Sequence, residues 1–185
     1  PHIKNCGLDP WGTETNPHWT HTYNVYFIYR PEGADADSGR GDPGPSWDVH
    51  WGDGSVEGWG WPGVHLDLRG NDDRFVTKDQ TTYVFGRMVP DPVHNRLVYW
   101  LTSIIDRNGN TISITRDATD AWKVLSVTDS AGRQLTFQYD GNRLISVRDP
   151  LYNPSYPAYH RWQFVNDASG YLAQVQMPRV TVGAT

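Results

Sequence analysis

The sequence has a single cysteine, Cys6, so neither an internal disulfide nor a thiolate metal cluster can form within the chain. It also lacks any apolar run of about 18 residues, the length from which a membrane-crossing helix is read, and no charged-then-apolar leader precedes Pro1. No membrane span is expected, and the start at Pro1 reads as a fragment or a processed product. Charge is sparse as well: charged residues make up 20% of the chain, with a net charge of −5 and a pI near 5.7. Without a basic stripe there is little to displace counterions from a phosphate backbone, so no nucleic-acid partner is expected. What the chain does have is 18 Gly, 13 Pro, 13% aromatics and nine Trp, a composition of strands and turns. At 185 residues it fits one domain or part of a larger one and can bury roughly 70% of its unfolded surface.

The chain changes character near residue 100, and beyond that point it repeats. Leu101, Ile104 and Asp106 recur as Val124, Val127 and Asp129, then as Leu144, Val147 and Asp149, and a fourth time as Leu172, Val175 and Met177. The alternating run after each turn repeats too: Ile112, Ile114 and Asp117 align with Leu135, Phe137 and Asp140, and with Trp162, Phe164 and Asp167. The last period is longer because PLYNPSYPAYH, residues 150–160, is inserted. Each period has the grammar of a β-hairpin, alternation then turn then alternation. The turns are RNGN (107–110), SAGR (130–133), DGNR (140–143) and ASGY (168–171). Helix-spaced apolar residues are absent here.

Upstream, HTYNVYFIYR (21–30) reads as an aromatic strand buried on both faces for part of its length, and PEGADADSGRGDPGP (31–45) as a mobile loop. SWDVHWGDGSVEGWGW (46–61) reads as a hairpin around Asp53–Gly54, and RFVTKDQTTYVFG (74–86) as another around Asp79–Gln80. The expected fold class is all-β: an antiparallel sheet of successive β-hairpins, as a twisted strip or an open barrel or shell segment, with little or no helix. An aromatic-rich segment over 1–99 and hairpin repeats over 100–185 are expected to form one continuous domain.

LTSIIDRNGNTISITRD (101–117) and SVTDSAGRQLTFQYDGNRLISVRDP (126–150) resemble the recurrent phrase of the RHS, or YD-repeat, family. PHWTHTYNVYF (17–27), VHWGDGSVEGW and FVTKDQTTYVF resemble segments that precede those repeats, so the likeness covers roughly residues 17–177. The resemblance implies a strip of hairpins that, in bacterial polymorphic toxins and insecticidal toxin complexes, winds into a hollow shell around a cytotoxic C-terminal segment; related barrels occur in teneurins. It further implies a non-enzymatic structural role, an extracellular or cell-surface location, and the rest of the polypeptide or an enclosed C-terminal segment as partner. The chain departs from the pattern. The YD dipeptide survives only at Tyr139–Asp140, becoming Arg116–Asp117 and Asn166–Asp167; residues 150–160 interrupt a period; no toxin or self-cleavage segment follows residue 177. The repeats are too few to close a shell.

Residues that invite a chemical reading each have a plainer one. Tyr139 and Asp140 suggest an acid/base pair, but neighbours on a strand point to opposite faces. His18 and His21, with His50, suggest metal ligands, but strand alternation separates the first two. Asp35, Asp37 and Asp42 partly resemble a calcium loop without its bidentate Glu, and Arg40–Gly41–Asp42 an adhesion motif; a solvated loop is the plain reading. Cys6 has no readable base beside it and reads as a packed or free thiol. No cofactor or metal is expected.

The tryptophans are more informative. A two-residue turn at Asp53–Gly54 pairs Trp51 with Val56, His50 with Glu57, and Asp48 with Trp59. One face then holds Trp47, Val49, Trp51 and Val56 as core. The other holds Asp48, His50, Glu57, Trp59 and Trp61, a mixture suited to a sugar ring, whose C–H groups pack on indole while its hydroxyls meet polar groups. Polysaccharide binding is the alternative function; packing of Trp59 and Trp61 beneath the 31–45 loop or a neighbouring repeat is the plain reading. A one-residue change of register exchanges the faces.

Overall fold

A computed structural model describes residues 22–30, 46–52, 55–58, 65–67, 73–91, 96–168 and 172–179. Among these there are thirteen strands and no helix: β1 (Tyr26–Arg30), β2 (Ser46–His50), β3 (Val56–Gly58), β4 (His65–Asp67), β5 (Asp73–Val76), β6 (Thr82–Asp91), β7 (Arg96–Ile105), β8 (Thr111–Arg116), β9 (Val124–Thr128), β10 (Gln134–Asp140), β11 (Arg143–Arg148), β12 (Arg161–Asn166) and β13 (Leu172–Gln176). They form one sheet in the order β13-β12-β11-β10-β9-β8-β7-β1-β2-β3, with β6, β5 and β4 branching from β7. Every pairing is antiparallel. The sheet is open, with β13 at one end of this order and β3 at the other. The expected all-β architecture of hairpins is what is found, and β7 carries the chain across residue 100 without a break in the sheet.

A threefold offset between two buried residues looks wrong for a strand, where alternation puts i and i+3 on opposite faces. The register explains it. Thr115 pairs with Ser126 but Arg116 with Val124, leaving Leu125 as an extra residue. Gln138 pairs with Ser146 but Tyr139 with Leu144, leaving Ile145. Val165 pairs with Gln174 but Asn166 with Leu172, leaving Ala173, and Val84 pairs with Ser103 but Phe85 with Leu101, leaving Thr102. Each repeat therefore carries a β-bulge directly after its first apolar residue. The bulge returns the second apolar residue to the buried face. Leu101, Val124, Val127 and Leu144 accordingly join Val25, Phe27, Val49, Phe75, Phe85, Ile114 and Phe137 in one core, against which Ile104, Leu135 and Val147 pack.

The turns repeat as closely. Asp106 N–H donates to Asn110 O and Gly109 N–H to Asp106 O, at 2.9 and 3.0 Å; Asp129 N–H donates to Arg133 O and Gly132 N–H to Asp129 O, at 3.0 and 2.9 Å. Asp106 Oδ1 accepts the amides of Asn108 and Asn110, and Asp129 Oδ1 those of Ala131 and Arg133. The fourth turn residue is left-handed, with φ of 85° at Gly109 and 79° at Gly132, which glycine adopts without steric cost. The hairpin expected around Asp79–Gln80 uses the same closure, Thr77 N–H to Thr81 O and Gln80 N–H to Thr77 O. There Gln80 holds the left-handed conformation, φ 65°.

Residues 150–159 enlarge one such turn without changing how it closes. Asp149 N–H still donates across, now to His160 O at 3.0 Å, and Asp149 Oδ1 still accepts the amide two residues on, Leu151. His160 Nδ1 meets Asp149 Oδ2 at 2.9 Å, where Asn110 Nδ2 and Arg133 Nε meet the earlier aspartates.

β7 is where the sheet forks. One edge pairs with β6 over its whole length, while the other pairs with β1 through Leu97–Trp100 and with β8 through Ser103–Ile105. β1 is buried on both sides, as its sequence suggested: Tyr26 and Ile28 join Val98, Trp100 and Ala121 in a second cluster. The second cluster is completed by the loop 117–123, held by Asp117 Oδ1 accepting the amides of Thr119 and Asp120.

Candidate functional site

The β2–β3 hairpin departs from the expected register by one residue. His50 pairs with Val56, Val49 with Glu57 and Asp48 with Gly58, and Trp51 N–H donates to Ser55 O. The loop therefore contains three residues rather than two, and a change of one residue moves each β3 position to the other face. Val56, not Glu57, stands across from His50, and the pairing of Trp51 with Val56 is replaced by one of Trp51 with Ser55. Trp59 and Trp61 lie outside the described residues, as do Cys6, His18, His21 and the 31–45 segment with Asp35, Asp37 and Asp42.

Val49 and Trp51 face the core as expected, the Trp51 ring lying edge-on to Phe75 and Tyr83. Asp48 and His50 are already engaged within the protein. Asp48 is ion-paired with Arg30, and the His50 ring stacks on Tyr26 at 4.6 Å with its plane nearly parallel. Burial pulls the His50 pKa down to about 4, against the pull of Asp48 in the other direction. His50 is thus a neutral, packed imidazole at neutral pH. Among the described residues no group of three or more His, Cys, Asp or Glu is placed to hold a metal ion, and no helix is long and apolar enough to cross a membrane.

Tyr139 and Asp140 do not converge. Tyr139 packs against the core and edge-on to Trp122, centroids 5.8 Å apart, and its hydroxyl accepts the Val124 amide at 3.2 Å. Burial raises its pKa to about 12, so the phenol stays protonated through the physiological range. Asp140 is exposed at the β10–β11 turn, opposite Arg143.

The structural counterpart of Tyr139 in the preceding period is Arg116, and it does something the repeat pattern does not announce. It is buried, 9% exposed, and its guanidinium donates to five backbone carbonyls: Leu101 at 2.9 Å, Ala121 at 3.2 Å, Trp122 at 3.3 Å, Tyr23 at 3.1 Å and Val25 at 3.4 Å. It also lies 4.9 Å from the centre of the Trp100 ring. These carbonyls sit where β1 and β8 part from β7. From one side chain Arg116 ties together the carbonyls of several segments, Val25 O taking the Leu101 amide at 3.1 Å as well. Desolvation lowers its pKa to about 9, which leaves it a cation at neutral pH. The one sequence signal was an arginine at a position where the next period has a buried aromatic.

An open groove of about 340 Å³ lies over β8–β10, floored by Ile112, Val127 and Leu135 and flanked by Tyr23 and Pro150. On its rim Arg133 is paired with Asp129 at 2.6 Å, and that contact leads the causes holding the Asp129 carboxyl below its usual range. The rim charges answer each other, so the groove offers apolar contact rather than a poised acid or base.

Compared with protein-family models and with curated proteins, the chain finds a match in neither.

Proposed function

We propose that this chain is a non-enzymatic structural segment of an RHS/YD-repeat strip, part of a β-shell that encloses or presents a toxin or other cargo outside the cell, with its own polypeptide as principal partner. The reading rests on the sequence resemblance and is supported by one observation above all: a repeat position that is core elsewhere is bare at the open end. Val127 is buried at 5% exposure, whereas its counterpart Val175 on β13 is 43% exposed, and Met177 is 68% exposed. Val175 pairs with Phe164, which packs on the core. A further hairpin paired to β13 would cover this surface and satisfy the free edge, the arrangement by which stacked repeats stabilise one another.

Hydrogen exchange on the isolated 185-residue chain and on its parent polypeptide tests the reading. The β13 amides that face the free edge should exchange at least tenfold more slowly in the parent. Equal exchange at β13 in both would overturn it, and a parent gene that joins this segment to glycoside-active domains would favour polysaccharide binding instead.

A further inference from the structure

Arg148 on β11 and Arg161 on β12 are directly paired across the sheet. Side chains so opposed share a face, with their Cβ atoms about 5 Å apart, and like charges there oppose folding. Both Nε atoms are buried without a hydrogen-bond partner, and among the described residues neither guanidinium is paired with an acid. The nearest carboxylate in sequence, Asp149, is occupied by His160 and by the Leu151 amide.

The surroundings add donors rather than acids. Thr136 stands opposite Arg148 on β10, and Gln163 follows two residues after Arg161 on the same side of β12. Tyr152 of the inserted loop lies 4.2 Å from the Arg148 guanidinium, ring to cation, which holds one of the two cations in place. Although the whole chain is acidic, residues 126–179 carry five Arg against four Asp, and two of those aspartates are closed into turns by Arg133 and His160.

We propose that Arg148 and Arg161, with Thr136 and Gln163 beside them, form an oxoanion-binding site on this face of the sheet, taking a sulfate or phosphate group. Two planar guanidinium forks side by side match the oxygens of such a group, and a bound dianion turns the mutual repulsion of the pair into shared attraction. The anion is either a small free ion or an ester on a larger molecule. The site is independent of the shell reading above.

The test is thermal unfolding and calorimetric titration of the whole chain with inorganic phosphate, inorganic sulfate, dextran sulfate and neutral dextran, at ionic strength matched with chloride. The wild type should gain Tm with oxoanion beyond the chloride control, and Arg148→Gln or Arg161→Gln should each weaken binding by roughly tenfold or more. In chloride alone the same substitutions should leave Tm unchanged or raise it, because they relieve a like-charge pair. Arg143→Gln, at the β10–β11 turn, should bind as wild type, and Tyr152→Leu should weaken binding. Binding of dextran sulfate but of neither free ion identifies an esterified ligand; the reverse identifies a small anion. An oxoanion response equal in wild type and in the double Arg→Gln variant overturns the proposal, as does a fall of Tm in chloride on either single substitution.

Discussion

Arg116 and Tyr139 occupy the same place in consecutive periods, each across a bulge from the first apolar residue of the following strand, Val124 or Leu144. One region of the sheet uses that place for a buried cation and the other for a neutral phenol. The backbone is the same; the needs around it are not. At the fork, β1 and β8 diverge from β7 and leave carbonyls facing inward, so the position demands donors. Along the regular strip every strand has its neighbour, and an aromatic ring whose hydroxyl accepts the one Val124 amide is enough. A repeat of this kind fixes where a side chain is delivered, while the junction it meets decides which side chain is tolerated.

Removing the cation from the fork should have the largest effect. Arg116→Met removes five hydrogen bonds to interior carbonyls and should cost about 3–5 kcal/mol in denaturant unfolding, and Arg116→Lys should restore little, a single ammonium being unable to reach so many acceptors. A loss under about 1 kcal/mol would mean that water seals the fork. The reverse exchange, Tyr139→Arg, places a guanidinium against the core and the Trp122 ring and should cost about 3 kcal/mol.

Alkaline pH sharpens the contrast at an intermediate scale. Folding raises the Tyr139 pKa from 10.0 to about 12, so the folded chain keeps a proton that the unfolded chain has released. The associated stability, about 2–3 kcal/mol, is whole below pH 10 and is lost as pH rises through the folded value. The difference between wild type and Tyr139→Phe isolates it: between about pH 10 and 12 the wild type should lose about 2–3 kcal/mol relative to the variant. Parallel profiles there would mean that the phenol is not shielded.

The smallest effect compares two turns. Gln80 holds a left-handed conformation that glycine holds at residue 109, and a Cβ added at Gly109 would meet nothing within 4 Å. The strain is therefore backbone alone. Gln80→Gly should stabilise, and Gly109→Gln destabilise, each by up to about 1 kcal/mol in Tm-derived free energy. Opposite signs would show that the two turns are not equivalent.

The repeat was legible because its rules are local. Aspartate at the turn start, glycine three residues on and alternation along the strands are short-range chemistry, and Leu135 and Phe137 pack as the alternation implied. The offset of three was visible too, although its cause, the bulge, needs the partner strand to be known. Asp53–Gly54 misled by one residue because the same dipeptide suits a two-residue turn and a longer one. Arg116 was opaque for a different reason: two of its acceptors, Tyr23 and Val25, are more than ninety residues away in the chain, and no local pattern encodes a fork. The Arg148–Arg161 pairing depends likewise on two strands separated by an insertion.

That insertion shows how such a chain tolerates change in length. Asp149 and His160 act as a clasp: whatever lies between them, the strands on either side leave in the same register. Peptides spliced into this loop away from Tyr152 and Ala158, which contact Arg148 and Arg179, would be carried as passengers while the strip beneath stayed as it was.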